Sequence, residues 1–137
     1  MAYWLIKTEP DDWSWDEQVA KGKKGEPWTG VRNAQARNFI REMKKGDLAF
    51  FYHTGGEKRV VGIVKITKEA YQDPTTDDER WLVVDVVAVE DVPNPVTLAD
   101  IKAEEKLSDM VLVRNSRLSV QPVTDAEWKY VRKMGGL

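Results

Sequence analysis

The chain has no cysteine and a single histidine, His53. The first absence removes disulfide frameworks, thiolate nucleophiles and thiolate metal sites. The second argues against a His-rich metal centre and against a Ser–His triad with a spare imidazole. No apolar run approaches the ~20 residues that a membrane span needs, and the opening MAYWLIKTEP is too short and too quickly charged for a secretory signal. A soluble, cytoplasmic protein with no membrane partner is the expectation. Internal repeats and low-complexity tracts are missing too. No strand leads into a glycine-rich phosphate loop, which excludes Rossmann and P-loop readings. No cofactor and no metal are expected.

What is present is distributed unevenly. The net charge is −2, too low for indiscriminate coating of nucleic acid. Yet residues 69–109 hold twelve acids against Arg80, Lys102 and Lys106, so the remainder of the chain carries +7. A basic face with an acidic flank and an ordinary solvated surface both fit that pattern. Six tryptophans are many for 137 residues. Each indole carries an N–H that needs a partner when buried, so packing alone seldom calls for so many, and stacking on a flat ligand is the other use.

The length suits one domain, residues 1–137, with a core that needs no staples. Strands are predicted at Tyr3–Lys7, Leu48–His53, Arg59–Thr67, Trp81–Val92, Val111–Val113 and Leu118–Val120, with residues 72–79 a polar loop and Asn94-Pro95 ending the longest strand. Ser14 with Glu17 is a capping box opening a short helix that ends near Gly22. In WTGVRNAQARNFIREMKKGD, Ala36, Phe39, Ile40 and Met43 fall on one helical face, Asn33 suits the N-cap, and Lys44-Lys45-Gly46 is a helix-ending signature. Thr97 and Thr124 begin two further helices, the second ending at Gly135. Short strands with small helices between them predict a mixed α+β domain on a small, twisted, mostly closed sheet.

YWLIKTEP, WTGVRNAQARNFIREMKKGD, FFYHTGG and MVLVRNSRLSVQPVT occur in this order between Tyr3 and Tyr130. Together they resemble the EVE-domain family, and the resemblance covers essentially the whole chain. It implies a PUA-like fold, a small β-barrel-like mixed sheet flanked by short helices, similar to the YTH domains that read N6-methyladenine in RNA. It also implies a reader of modified bases, such as 5-methylcytosine derivatives in DNA. Thr8 stands where the family carries the Ser of a KSEP motif; the hydroxyl is kept and the added methyl narrows that wall.

Drawing a base out of its stack costs a few kcal/mol, and stacking it on one aromatic returns roughly 1–3 kcal/mol, so two opposed aromatics make the better pocket. Trp28, which matches a YTH cage position, is the first proposed wall, or else a loop Trp packed on the sheet. Trp81, which resembles a second cage position, is the other, or else a strand-edge residue. Trp4, Trp13, Trp15 and Trp128 are assigned to packing, Trp13 least firmly. Reading a base edge needs donors and acceptors. Lys7, Thr8 and Glu9 supply them at a strand end, and Asn33 either reads the ligand or caps its helix. Tyr52 and His53, ending the FFYH strand, are further ligand candidates with structural alternatives. Arg32, Arg37, Arg114 and Arg117 are candidates for backbone phosphates, with Arg37 alternatively pairing an acid to hold its helix. Asp11-Asp12 and Asp16-Glu17 read as acids beside a helix start. The expected function is a binding module, not an enzyme, whose partner is nucleic acid, modified DNA ahead of RNA. The alternatives are an RNA-binding PUA-type module and a small nucleic-acid or nucleoside hydrolase using Lys7, Glu9 and His53.

Overall fold

The computed structural model describes residues 1–137. In chain order the elements are β1 (Tyr3–Thr8), α1 (Trp15–Ala20), β2 (Glu26–Pro27), α2 (Ala34–Glu42), β3 (Leu48–His53), β4 (Arg59–Gln72), β5 (Leu82–Thr97), α3 (Leu98–Lys102), α4 (Val111–Arg114), β6 (Val120–Val123) and α5 (Asp125–Met134). The strands form one six-stranded sheet ordered β2-β5-β4-β3-β1-β6. It is mixed: β1 runs parallel to β3 and antiparallel to β6, and the other pairs are antiparallel. Its edges, β2 and β6, do not pair, so the sheet is not a closed barrel. No helix is long and apolar enough to cross a membrane.

Side chains alternate across a strand, and here both faces are covered. Trp4, Ile6, Ala49, Phe51, Val64 and Val84 join Trp15, Trp28 and the apolar side of α2 in one core. Leu5, Phe50, Tyr52 and Ile63 join Ile101, Leu112, Trp128 and Val131 from α3, α4 and α5 in the other. Asp47 ties α2 to the sheet: its buried carboxylate accepts from the amides of Ala2 (3.1 Å) and Lys44 (2.9 Å) and from the Trp4 indole (3.0 Å).

The expected caps are in place. Ser14, Thr97 and Thr124 form complete capping boxes, and Asn33 Oδ1 accepts from the Ala36 amide at 2.9 Å. Three expectations need correction. Val111–Val113 is helical, because Leu112 turns into the core and the Arg114 and Asn115 amides bond back to Met110 and Val111 (3.1 and 2.7 Å). Only Val120 of the segment 118–120 is strand. Asn94-Pro95 does not end β5: Val60 pairs with Val96 and Gly62 with Asp91, so residues 92–95 bulge out opposite Val61 and the strand resumes. A bulge is where a sheet tolerates proline, since no ladder N–H is missed there.

Candidate functional site

β1 ends at Thr8 beside the extended segment 26–32 that leads into α2. Between them lies a cavity of about 460 Å³, lined among others by Lys7, Thr8, Glu9, Trp13, Trp28 and Arg32. Trp28 is only 6 % exposed. Its amide donates to Val84 O at 2.8 Å, and its ring meets Phe51 edge-on at 5.5 Å. It is therefore a core residue and a cavity wall at once, held rigid by the sheet beneath it.

Trp13 is the second aromatic of this lining, a place the sequence reading gave to Trp81. The turn Glu9-Pro10-Asp11-Asp12 folds the chain back, with the Asp12 and Trp13 amides donating to Glu9 O at 2.9 and 3.0 Å. The Trp13 indole N–H donates to Gln18 Oε1 (2.9 Å), and the buried Gln18 amide in turn donates to Val86 O (3.2 Å), which fixes the ring. The signal was in the sequence: a proline followed by two aspartates marks a turn that returns the next residue over the strand end.

The polar lining has defined roles. The Thr8 hydroxyl donates to Trp13 O at 3.0 Å, so its hydrogen is committed and toward a ligand its oxygen can only accept. The Glu9 carboxylate rests against Gly55, where a Cβ would lie 2.6 Å from Oε2. The Val31 and Arg32 amides meet no acceptor within the protein and remain available as donors. Burial lowers the pKa of Lys7, whose ammonium donates to Ser116 O at 2.8 Å. Glu9, Asp12 and Glu26 outnumber Lys7 and Arg32 among the lining charges. That balance disfavours a phosphate here. It suits a neutral base with an exocyclic amine, whose N–H groups a carboxylate can accept.

Asp73, a residue that sequence reasoning passed over as part of an acidic loop, braces the cavity from behind. Its fully buried carboxylate accepts from the Gly30 amide (3.1 Å), Arg32 Nη1 (2.9 Å), the Thr75 amide (2.8 Å) and the Thr75 hydroxyl (2.6 Å). Burial alone would raise its pKa; the donors from Thr75, Arg32 and Gly30 outweigh that and hold it at about 2. Gly30 has φ +83°, a conformation that favours glycine, which lets its amide turn to Asp73.

The other candidates lie elsewhere. Asn33 caps α2 and does not line the cavity. Trp81 sits outside, with the guanidinium groups of Arg32, Arg37 and Arg80 at 5.8, 5.8 and 5.5 Å from its ring. Arg37 pairs with no acid; it donates to Arg80 O (3.3 Å) and Asn38 Oδ1 (3.1 Å). Arg114 pairs with Asp109 at 2.9 Å, and Arg117 is exposed. His53 is buried; its Nε2 accepts from the Trp15 amide (3.0 Å), which leaves Nδ1 to donate to Glu57 (2.9 Å). Both ring nitrogens are thus occupied, and the proposed Lys7–Glu9–His53 acid–base set is not assembled. Tyr52 faces a different cavity on the opposite side of the sheet. No cluster of three or more His, Cys, Asp or Glu side chains forms a metal site.

The EVE-domain family profile matches residues 2–134. The chain belongs to the EVE-domain family. This EVE domain is 36 % identical to human thymocyte nuclear protein 1, over 95 % of this chain and 72 % of the relative. Among solved structures, an Agrobacterium tumefaciens protein superposes with a TM-score of 0.98 at 54 % identity, covering 100 % of this chain and 94 % of that one. Human THYN1 in complex with 5-methylcytosine-containing DNA superposes with a TM-score of 0.92 at 34 % identity, covering 100 % and 99 %. A Zygosaccharomyces rouxii YTH domain in complex with N6-methyladenosine RNA shares the fold at a TM-score of 0.60 and 18 % identity, covering 98 % and 86 %. The expected likeness of fold to YTH domains is therefore found.

Proposed function

We propose that this protein is a reader of modified nucleobases in nucleic acid, a single module that binds a flipped or single-stranded methylated base, a 5-methylcytosine derivative in DNA being the first choice. The base enters the cavity between β1 and the segment 26–32. Trp28 and Trp13 form its aromatic walls. Thr8 Oγ1 and the Glu9 carboxylate accept from its exocyclic amine, while the free Val31 and Arg32 amides donate to its carbonyl or ring nitrogen. Arg37, which pairs with no acid and lies over Trp81 at the rim, attracts the flanking backbone, whereas Arg80 beside it is neutralised by Asp78 at 2.7 Å. No catalytic role is assigned to any residue, because His53, the one imidazole, is committed to Trp15 and Glu57.

The observation that supports this reading most directly is the likeness, over the full chain, to human THYN1 in complex with 5-methylcytosine-containing DNA. The cavity adds an independent physical reason: two rigid indoles around carboxylate acceptors and unpaired amide donors suit a flat, neutral, amine-bearing ring. The test is fluorescence anisotropy with single-stranded oligonucleotides that differ by one methyl group on one cytosine, in DNA and RNA versions. Tighter binding of the methylated DNA is expected, and Trp13→Ala abolishes the preference. Equal affinity for both DNA versions sinks the reading, and preference for RNA of any modification replaces it with an RNA-binding module.

A further inference from the structure

On the far face of the sheet from Trp28 there is a second cavity, of about 330 Å³. Its polar lining is Lys7, Tyr52, Thr54, Lys58, Lys102 and Ser116, without a single carboxylate. None of the three lysines forms a salt bridge anywhere in the molecule. The Glu9 carboxylate borders this cavity, against Gly55 and 3.5 Å from Thr54 Oγ1, so three lysines meet one acid here, the reverse of the first cavity, where acids outnumber bases.

Two independent features mark this as a built site. Tyr52 is 3 % exposed, and its hydroxyl has no hydrogen-bond partner within the protein. The one buried side-chain atom sealed off without a partner is Gln121 Oε1; the Tyr52 hydroxyl instead opens onto the cavity. A phenol so placed would normally have found a partner, and burial raises its pKa, which keeps the hydrogen on the oxygen as a donor. Lys58 is the only non-glycine residue with positive φ, at +46°. Its carbonyl is pinned by the Leu98 amide at 2.8 Å, and such held conformations cluster where a ligand is gripped.

Lys7 belongs to both cavities. It stands at the end of β1, paired in register with Tyr52, and its ammonium lies 5.7 Å over the Tyr52 ring. The two cavities thus meet at one residue at the end of one strand, acid-rich on one side and lysine-rich on the other.

We propose that the second cavity is a phosphate site, holding a backbone phosphate of the same strand whose base occupies the first. Lys58 and Lys102 supply the charge, Tyr52 donates from below, and Lys7 joins the two halves of the footprint. The proposal rests on the base-reading function given above.

Two variants test it: Lys58→Asn combined with Lys102→Gln, whose asparagine tolerates positive φ, and Tyr52→Phe. Affinities for methylated and unmethylated single-stranded oligonucleotides are measured across a salt series, with thermal melting to check the fold. The double variant is expected to weaken both oligonucleotides equally, by about tenfold, and to flatten the slope of log affinity against log salt by about 0.7 to 1.4, the effect of one or two lost phosphate contacts on a single strand. Tyr52→Phe weakens both by about threefold, keeping the slope. An unchanged slope in the double variant overturns the phosphate site even if the wild type prefers the methylated base. A flattened slope with no preference for methylation in the wild type upholds the phosphate site and sinks the base-reading function. If inorganic phosphate shifts the amide resonances of Tyr52 and Lys102 while oligonucleotide binding ignores both variants, the assignment to a strand is wrong.

Discussion

Arg32 Nη1 donates to Asp73 Oδ2 at 2.9 Å, joining the segment that carries Trp28 to the acidic loop before β5. The ion pair is lopsided, since the Asp73 side chain is wholly buried and that of Arg32 is 40 % exposed. Removing the carboxylate strands four donors: the Gly30 amide, Arg32 Nη1, and the amide and hydroxyl of Thr75. Asp73→Ala is expected to cost about 2 kcal/mol or more in urea unfolding at neutral pH. It should also weaken oligonucleotide binding through loss of the Gly30–Arg32 conformation.

The same carboxylate carries a pH signature. Its folded pKa of about 2 lies below the ordinary 3.8, so the group stabilises the fold where it is ionised in both states. That contribution, about 2 kcal/mol, is complete above pH ~4 and is lost as pH falls toward the folded pKa. Wild type and Asp73→Ala should therefore differ most in urea midpoint at pH 5–7 and converge as pH approaches about 2. A gap that stays constant through that window would mean the carboxylate is not held as the geometry indicates.

Trp28 and Trp13 should separate stability from recognition. Trp28→Ala removes a core indole and is expected to cost about 3–5 kcal/mol of folding stability along with binding. Trp13→Ala, at a half-buried ring, should leave most of the stability and still remove roughly 1–3 kcal/mol of base stacking, seen as at least a fivefold loss of affinity.

His53→Ala leaves the Trp15 amide without its partner, while Glu57 keeps the Arg59 guanidinium at 3.1 Å, at a cost of about 1–3 kcal/mol. Because the imidazole lies outside the cavity lining, affinity measured well below the melting temperature should not change. A loss of binding with unaltered stability would restore His53 to the site.

Gly62 lies directly under the Trp15 indole, and a Cβ at that position would overlap the ring. Gly62→Ala should therefore destabilise by about 1–3 kcal/mol through overpacking. The Trp15 indole N–H also donates to Asp91 at 2.7 Å and its backbone amide to His53 at 3.0 Å, so neither ring nor backbone can slide aside freely. Chemical unfolding measures the effect.

Much of the fold was legible in the chain. The strand Leu48–His53, the Asn33 cap and the three capping boxes are local patterns, and local patterns survive folding when burial agrees with them. Val111–Val113 was misread because three residues cannot separate a buried strand from a turn of helix by periodicity. The bulge at 92–95 depends on what Val61 does across the sheet, which no window around Asn94 contains. The site divides the same way. Lys7, Thr8, Glu9, Trp28 and Arg32 do come together at one cavity. Trp81 was put there in place of Trp13 because it opens a strand after a polar loop and resembles a second YTH cage position. The turn at Pro10 is what decides which indole reaches the strand end, and Asp73 enters from a loop more than forty residues along the chain from Gly30.

β1 pairs with β3 on one side and with β6 on the other. β1 thus keeps one row of amides and carbonyls open until Val120–Val123 has been made. Contacts so distant along the chain close slowly, and an open strand edge invites pairing with other molecules. The strand end that carries Lys7 and Thr8 is therefore completed only once β6 exists, and a chain cut short before Val120 should aggregate rather than bind.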